Sequence, residues 1–223
     1  MPTYQKPPTV NDDARAQDIY REAARIISDQ GFDATSMGDI AETVDLTKGG
    51  LYYYIKGKKA LLYAIMNFSL DLVEEKVMGT ARAEDDPERK VAALLAGYLQ
   101  LILDEPDAMG ILVSEEERLD PSYRPRIVER KRAFAEFLRD SVADLLKARG
   151  GRAGLDPSVV AYSLLGMMHG VVDWHISDGH LKEAELIEQV RRIALCGLTP
   201  APQKPGPKRA AGKSRSAGRQ AAS

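Results

Sequence analysis

The sequence predicts an all-α protein, and three observations carry that prediction. Apolar residues recur at three- and four-residue spacing along nearly the whole chain. No segment sustains the two-residue alternation of β-branched side chains that a half-buried strand needs, and no hairpin dipeptide sits between such runs. Asp-Pro pairs and isolated glycines fall at the edges of the apolar patterns, where helices start and stop.

The elements follow in order. Residues 1–10 are Pro-rich and read as a flexible N-terminal arm. A first helix runs from about Asn11 or Asp12 to Gln30, with Ala16, Ile19, Tyr20, Ala23, Ile26 and Ile27 on one face and Gly31 as its C-cap. Residues 35–54 read as two short helices joined by a tight turn, the layout of a helix-turn-helix. Ile40, Ala41 and Val44 give the first an apolar face, Leu46 fills the turn, and Leu51 with Ile55 gives the second its stripe. Ser36 and Thr47 stand where N-caps are wanted. Gly57 breaks into a longer helix from about Lys58 to Thr80, directed inward by Leu61, Leu62, Ile65, Phe68, Leu72 and Val73.

Asp86-Pro87 opens a helix to about Asp104 that carries Val91, Leu94, Leu95, Tyr98, Leu101 and Ile102. A shorter helix covers Ala108 to Leu119, and residues 120–125 open the next, which runs to about Arg149. Asp156-Pro157 begins a strongly apolar helix to about Ser177, and a last amphipathic one covers Lys182 to Cys196. That makes nine helices. From Thr199 onward Pro, Gly, Ala, Lys, Ser and Arg dominate, the composition of a disordered tail.

With 223 residues, 44% apolar and 29% charged, the chain can bury a sizeable core and is not of disordered composition. The single cysteine, Cys196, forbids an intramolecular disulfide and reads as a small buried residue. The first residues hold no apolar leader core, and no stretch approaches about 18 uninterrupted apolar residues, so a cytoplasmic protein without a membrane partner is expected. The net charge of −2 conceals an asymmetry. Residues 201–223 carry six basic and no acidic residues, which leaves −8 on residues 1–200. An acidic body can still bind nucleic acid if its footprint is locally positive. Lys48, Lys56, Lys58 and Lys59 cluster at the helix-turn-helix.

The outward face of the second short helix carries Lys48, Gly49, Tyr52 and Tyr53. Two glycines in so short a helix cost about 1 kcal/mol each relative to alanine. Backbone left bare at that expense points to a close-approaching partner, and double-stranded DNA fits. Catalysis finds no support, because no nucleophile–base pair or metal set is present. Lys48-Gly49-Gly50 lacks both the spacing of a phosphate loop and a preceding strand. His169, His175 and His180 are spaced by six and five residues and share no helical face, so neither a metal nor a cofactor is expected. Asp173, four residues from His169, is its expected hydrogen-bond partner.

The run from Ile26 to Ala41, followed by Leu51-Tyr52-Tyr53-Tyr54-Ile55 and Lys58-Lys59-Ala60-Leu61-Leu62, resembles the N-terminal domain of TetR-family transcriptional regulators over roughly residues 12–66. The resemblance implies a homodimer whose C-terminal helices pair and enclose a ligand pocket in each subunit, with ligand binding changing the separation of the two DNA-reading heads. It implies phosphate contacts at Ser36, Tyr52 and Lys58, and positions facing base edges or the groove wall at Lys48, Gly49 and Tyr53. On this reading residues 11–57 form the DNA-binding domain and 58–198 the ligand-binding and dimerisation domain, with 199–223 a basic tail.

Residues 111–132 are similar to the C-terminal half of TetR regulators of fatty-acid or steroid breakdown, several of which respond to an acyl-CoA thioester. Arg124, Arg126, Arg130, Lys131 and Arg132 then offer cations to phosphates, and Met109, Leu112, Phe134, Met167, Met168 and Trp174 an acyl pocket. The alternatives are a solvated helix face paired with Glu115–Glu117 and Glu129, and ordinary core. Asp173 departs from the related regulators, which tend to carry a basic residue there. Gly166 and Gly170 lie four apart on one face, where a partner helix can approach, and mark a candidate dimer interface. The expected function is a transcriptional repressor released from a pseudo-palindromic operator by a hydrophobic or acyl-CoA-like effector. An activator or architectural DNA-binding protein of the same fold is the alternative, and an enzyme is the reading the residues support least.

Overall fold

The computed structural model describes residues 14–148, 150, 154–178 and 181–198, with the backbone alone for 172–178 and 197–198. The expected arm, the basic tail and His180 lie outside the described residues, as do the side chains of Asp173, Trp174 and His175. Among the described residues every regular element is helical. The order is α1 (Ala14–Gln30), α2 (Met37–Thr43), α3 (Lys48–Tyr54), α4 (Lys58–Leu72), α5 (Pro87–Asp104), α6 (Pro106–Ser114), α7 (Arg124–Ala148), α8 (Pro157–Asp178) and α9 (Glu183–Leu198).

Local chemistry sets most of these bounds. Gly31, at φ +85°, ends α1 in the left-handed region, and Gly57, at φ +126°, makes the turn into α4. Ser36 closes a capping box on α2. Its hydroxyl accepts from Gly38 N and Asp39 N, while the Asp39 carboxylate accepts from Ser36 N. Those bonds also hold Asp39 below its ordinary carboxylate range. Asp86 accepts from Glu88 N and Arg89 N, and Pro87 occupies the first position of α5.

One helix has bounds that differ from the sequence expectation, and another changes character within its expected span. Helix α4 continues past Leu72 through a π-helical stretch (Val73–Met78) into a last α-turn (Gly79–Arg82). There the Gly79 N–H reaches back five residues to Glu74 O. Helix α6 starts at Pro106 and stops at Ser114, and Glu116–Arg118 forms a 3₁₀ turn. Helix α7 begins at Arg124, within the expected opening at 120–125, after Asp120 takes the Ser122 N–H and hydroxyl and closes a turn of its own.

The core is continuous from Ala16 in α1 to Leu195 in α9. The reason is α4, in which six consecutive residues, Leu61 to Met66, are all buried. A helix buried all round must be enclosed by others. Helices α1, α6 and α7 pack against it. Ser69, fully buried on α4, donates toward both Ile65 O and Ala108 O at 3.1 Å and so ties α4 to α6. The boundary expected at residues 57 and 58 is therefore no break in packing.

Ile65→Ala should lower unfolding free energy by about 2–5 kcal/mol. Because α4 is shared, helices α1–α3 and the larger helical body should unfold in one urea transition followed by circular dichroism. Two resolved transitions would refute the shared core.

Candidate nucleic-acid interface and effector cavity

The helix-turn-helix is held by a Schellman motif at the end of α2. Leu46 N–H bonds Ala41 O at 2.9 Å and Asp45 N–H bonds Glu42 O at 3.2 Å, with Asp45 at φ +54° where glycine is usual. The Arg15 guanidinium of α1 donates to Val44 O, placing a cation at the C-terminus of α2. Thr47 then caps α3 by accepting from Gly50 N at 3.0 Å. The two glycines of α3 separate here. A Cβ on Gly50 would stand 3.3 Å from Thr47 Oγ1 and against Leu46, so the cap itself explains that glycine. A Cβ on Gly49 would meet nothing closer than 4.0 Å, so packing does not explain it.

The outer surface of α3 is accordingly open. Lys48 and Gly49 are exposed, and Lys48 makes no ion pair among the described residues. Tyr53 is 86% exposed and Tyr52 43%. Tyr54 is 36% exposed and meets the Tyr53 ring edge-on at 5.3 Å. Ser36 is exposed, with its oxygen committed to the capping box.

Lys58, for which the resemblance implies a phosphate contact, is engaged by the protein's own backbone. Its ammonium donates to Phe32 O at 2.6 Å, Thr35 O at 2.8 Å and Asp33 O at 3.2 Å, and lies 4.6 Å from the centre of the Phe32 ring. An ammonium has three N–H groups and all three have acceptors here. Lys58 thus ties the start of α4 to the connection between α1 and α2. No local pattern reveals this, since its partners lie 23–26 residues upstream.

In the body, a cavity of about 480 Å³ opens between α4, α5, α6, α7 and α8. Leu70 and Val73 wall it on α4, Leu112 and Val113 on α6, Phe134 on α7 and Leu165 on α8. Leu112 and Phe134 line it, but Met109, Met167, Met168 and Arg130 do not. Met109 and Met168 are buried core, Met167 packs against that core, and the Trp174 side chain lies outside the described residues. Arg130 faces α4, with Nη2 2.7 Å from Asp71 Oδ1 and 3.5 Å from Glu74 Oε2, and Nη1 2.9 Å from Asn67 Oδ1. The helices of the body are apolar on more than one face, so spacing could not tell core from cavity.

The sequence singles out the cations Lys131 and Arg132 but not the neutral polar pair of the cavity, Tyr98 and His169. Tyr98 OH lies 2.9 Å from His169 Nε2, so His169 has a partner on α5; the expected partner Asp173 has its side chain outside the described residues. Burial pushes the Tyr98 phenol up, and burial followed by the Lys131 charge holds His169 below the usual imidazole range. Both are therefore neutral near pH 7. Lys131 and Arg132 also line the cavity. Lys131 donates to Glu116 Oε2 at 2.8 Å, and this bond chiefly holds Glu116 below its ordinary range. The available signal was Tyr98, a polar-tipped aromatic on an otherwise aliphatic helix face.

Head and cavity are joined through α6 and the turn after it. Arg21 of α1 donates to Glu105 at 2.8 Å just before α6. Arg118, in the turn, pairs with Asp33 and lies 2.6 Å from Glu115. On α8 and α9, Val159, Tyr162 and Ile193 are roughly two-thirds exposed, and a Cβ on Gly166 or Gly170 would meet nothing within 4 Å. Gly166 lines the cavity as well.

Residues 19–65 match the family described as bacterial regulatory proteins, tetR family, and residues 84–198 the family described as tetracyclin repressor-like, C-terminal domain. The chain is 25% identical over 191 residues to the HTH-type transcriptional repressor KstR2 of Mycolicibacterium smegmatis, over 83% of this chain and 91% of the relative. It is 22% identical over 191 residues to the HTH-type transcriptional activator FasR of the same organism, over 85% of each. The crystal structure of AibR in complex with isovaleryl coenzyme A and operator DNA matches at a TM-score of 0.72 and 31% identity, covering 80% of this chain and 97% of that one.

Lys58→Met keeps the aliphatic stem and removes the ammonium. It should destabilise the protein by about 1.5–3 kcal/mol, the range for hydrogen bonds to a charged group, as read by urea denaturation. A loss below about 0.5 kcal/mol would show that the three carbonyls do not depend on it.

Proposed function

The chain belongs to the TetR family of bacterial regulatory proteins, and on that premise we propose that it is a homodimeric transcriptional repressor that leaves its operator when an acyl-CoA-like effector fills the cavity in its body. The observation that carries this reading is the pairing of an exposed Lys48-Gly49-Tyr52-Tyr53 surface with an apolar cavity rimmed by cations, the two joined by one continuous core. The match to AibR, crystallised with isovaleryl coenzyme A and operator DNA, supports both halves. The similarity to KstR2 favours repression, and the similarity to FasR makes activation the alternative.

On this reading Lys48 reaches into the major groove, and Tyr52, Tyr53 and the exposed Ser36 meet the groove wall and backbone. Gly49 adds no side chain, so direct readout is sparse and DNA shape contributes to site choice. The exposed apolar face of α8 and α9, with Gly166 and Gly170, is the surface for the second copy. A two-fold dimer then asks for a pseudo-palindromic operator. The protein acts in the cytoplasm, where that DNA lies.

The test is fluorescence anisotropy on DNA from upstream of the protein's own gene. Binding should be lost on adding isovaleryl- or octanoyl-CoA and kept with free CoA. Retention with every acyl-CoA would sink the effector assignment. Lys48→Ala should reduce the slope of log affinity against log salt by about 1, whereas Lys58→Met should leave that slope unchanged. In a deletion strain the neighbouring genes should be derepressed, and their silence would favour activation.

A further inference from the structure

One polar point is built deep into the cavity, and three helices hold it. Tyr98 of α5 is 3% exposed, and its ring stacks on Phe134 of α7 at 5.0 Å and 11°. Its hydroxyl meets His169 of α8 at 2.9 Å. Near neutral pH the phenol and imidazole are both uncharged, so they hold two polar hydrogens between them, one O–H and one N–H. Whichever tautomer is present, their mutual bond uses one hydrogen. The other finds no acceptor among the described residues. Such a donor gains most from a ligand that presents an uncharged acceptor.

Nearer solvent the chemistry changes sign. Arg132 lines the same cavity, is exposed, and makes no ion pair among the described residues. Beside it Lys131 is already neutralised by Glu116.

We infer that Tyr98 and His169 are the specificity element of the effector cavity, donating a hydrogen bond to the carbonyl oxygen of an acyl thioester, while Arg132 meets a phosphate of the carrier at the mouth. This rests on the reading that the cavity holds the effector. A thioester carbonyl is a neutral acceptor with an apolar chain on one side and a long carrier on the other, which matches the order of neutral donor, apolar wall and free guanidinium. A free carboxylate at the same point would be a buried charge whose neighbouring cation is engaged elsewhere, so it is disfavoured. Arginine suits the phosphate because its fork of N–H donors can hold two oxygens.

The experiment compares octanoyl-CoA with S-octyl-CoA, the thioether that lacks only the carbonyl, by isothermal titration calorimetry. The wild-type protein should prefer the thioester by about three- to tenfold, the range of one net hydrogen bond. Tyr98→Phe keeps the stacked ring and should abolish that preference while leaving thioether affinity unchanged; His169→Leu should do the same. Arg132→Ala should weaken octanoyl-CoA binding but not that of octanoyl-pantetheine, which has no phosphate. If Tyr98→Phe weakens both ligands equally, the pair is structural and the assignment is wrong. If neither CoA derivative binds the wild-type protein, the effector reading itself falls. Binding of both with equal affinity overturns only the role given to Tyr98 and His169.

Discussion

Helix α4 has no solvent face through its middle, and the rest of the molecule is organised by that constraint. Leu61 to Met66 point in all directions and all are buried, so the helices of the head and of the body must close on α4 from opposite sides. Burying one leucine, isoleucine or methionine side chain contributes about 1.5–3 kcal/mol, so this rod outweighs any polar contact at its surface. Its start is fixed by the Lys58 ammonium, and Leu70 and Val73 near its end form part of the cavity wall. A displacement of α4 at the cavity cannot be absorbed within a loop before it reaches the helix-turn-helix.

The polar contacts between head and body set orientation more than stability. Arg118–Asp33 joins two substantially exposed side chains, and such pairs contribute about 0–1 kcal/mol. Arg21–Glu105 is more sheltered on its acidic side, with Glu105 12% exposed. Weak individual contacts are suited to this position. A regulatory head must change its attachment at a cost that one ligand can supply, and coupling between sites in proteins is typically about 1–3 kcal/mol. Arg130 is anchored to Asn67, Asp71 and Glu74 on α4 and its π-helical extension, so α7 is bound to the rod beside the cavity wall.

What was legible in the sequence was whatever a few neighbouring residues decide. Ser36, Thr47, Asp86 and Gly31 end or begin helices through bonds to residues two to four positions away, and the sequence shows each of them. The outward surface of α3 is legible for the same reason, because Leu51 and Ile55 fix which side is buried. The role of Lys58 depends on carbonyls across the head, and the cavity pair joins residues 71 positions apart. Neither has a local signature. Helix α8 is apolar around much of its circumference, so the sequence offered Met167 and Met168 as readily as His169. The π-helical stretch in Val73–Met78 contains no proline or glycine, and nothing in its residues announces it.

A ligand shifts a conformational equilibrium only by the difference between its affinities for the two states. The cavity is well placed to generate such a difference, because its walls are not an independent cup. Leu70 and Val73 belong to the helix that Lys58 ties to the head, and Leu112 and Val113 belong to the helix that Ser69 and Glu105 tie to α4 and α1. Tyr98 and His169 line it from α5 and α8. On the proposed reading, a ligand anchored at that pair and pressing on the walls from α4 and α6 favours whichever arrangement of those two helices leaves it room. The head must follow, since both helices are packed or ion-paired against α1. On the proposed reading that the effector fills this cavity, the coupling is reciprocal: DNA that holds two heads at a fixed separation would restrict the cavity and lower its affinity for the effector by the same factor.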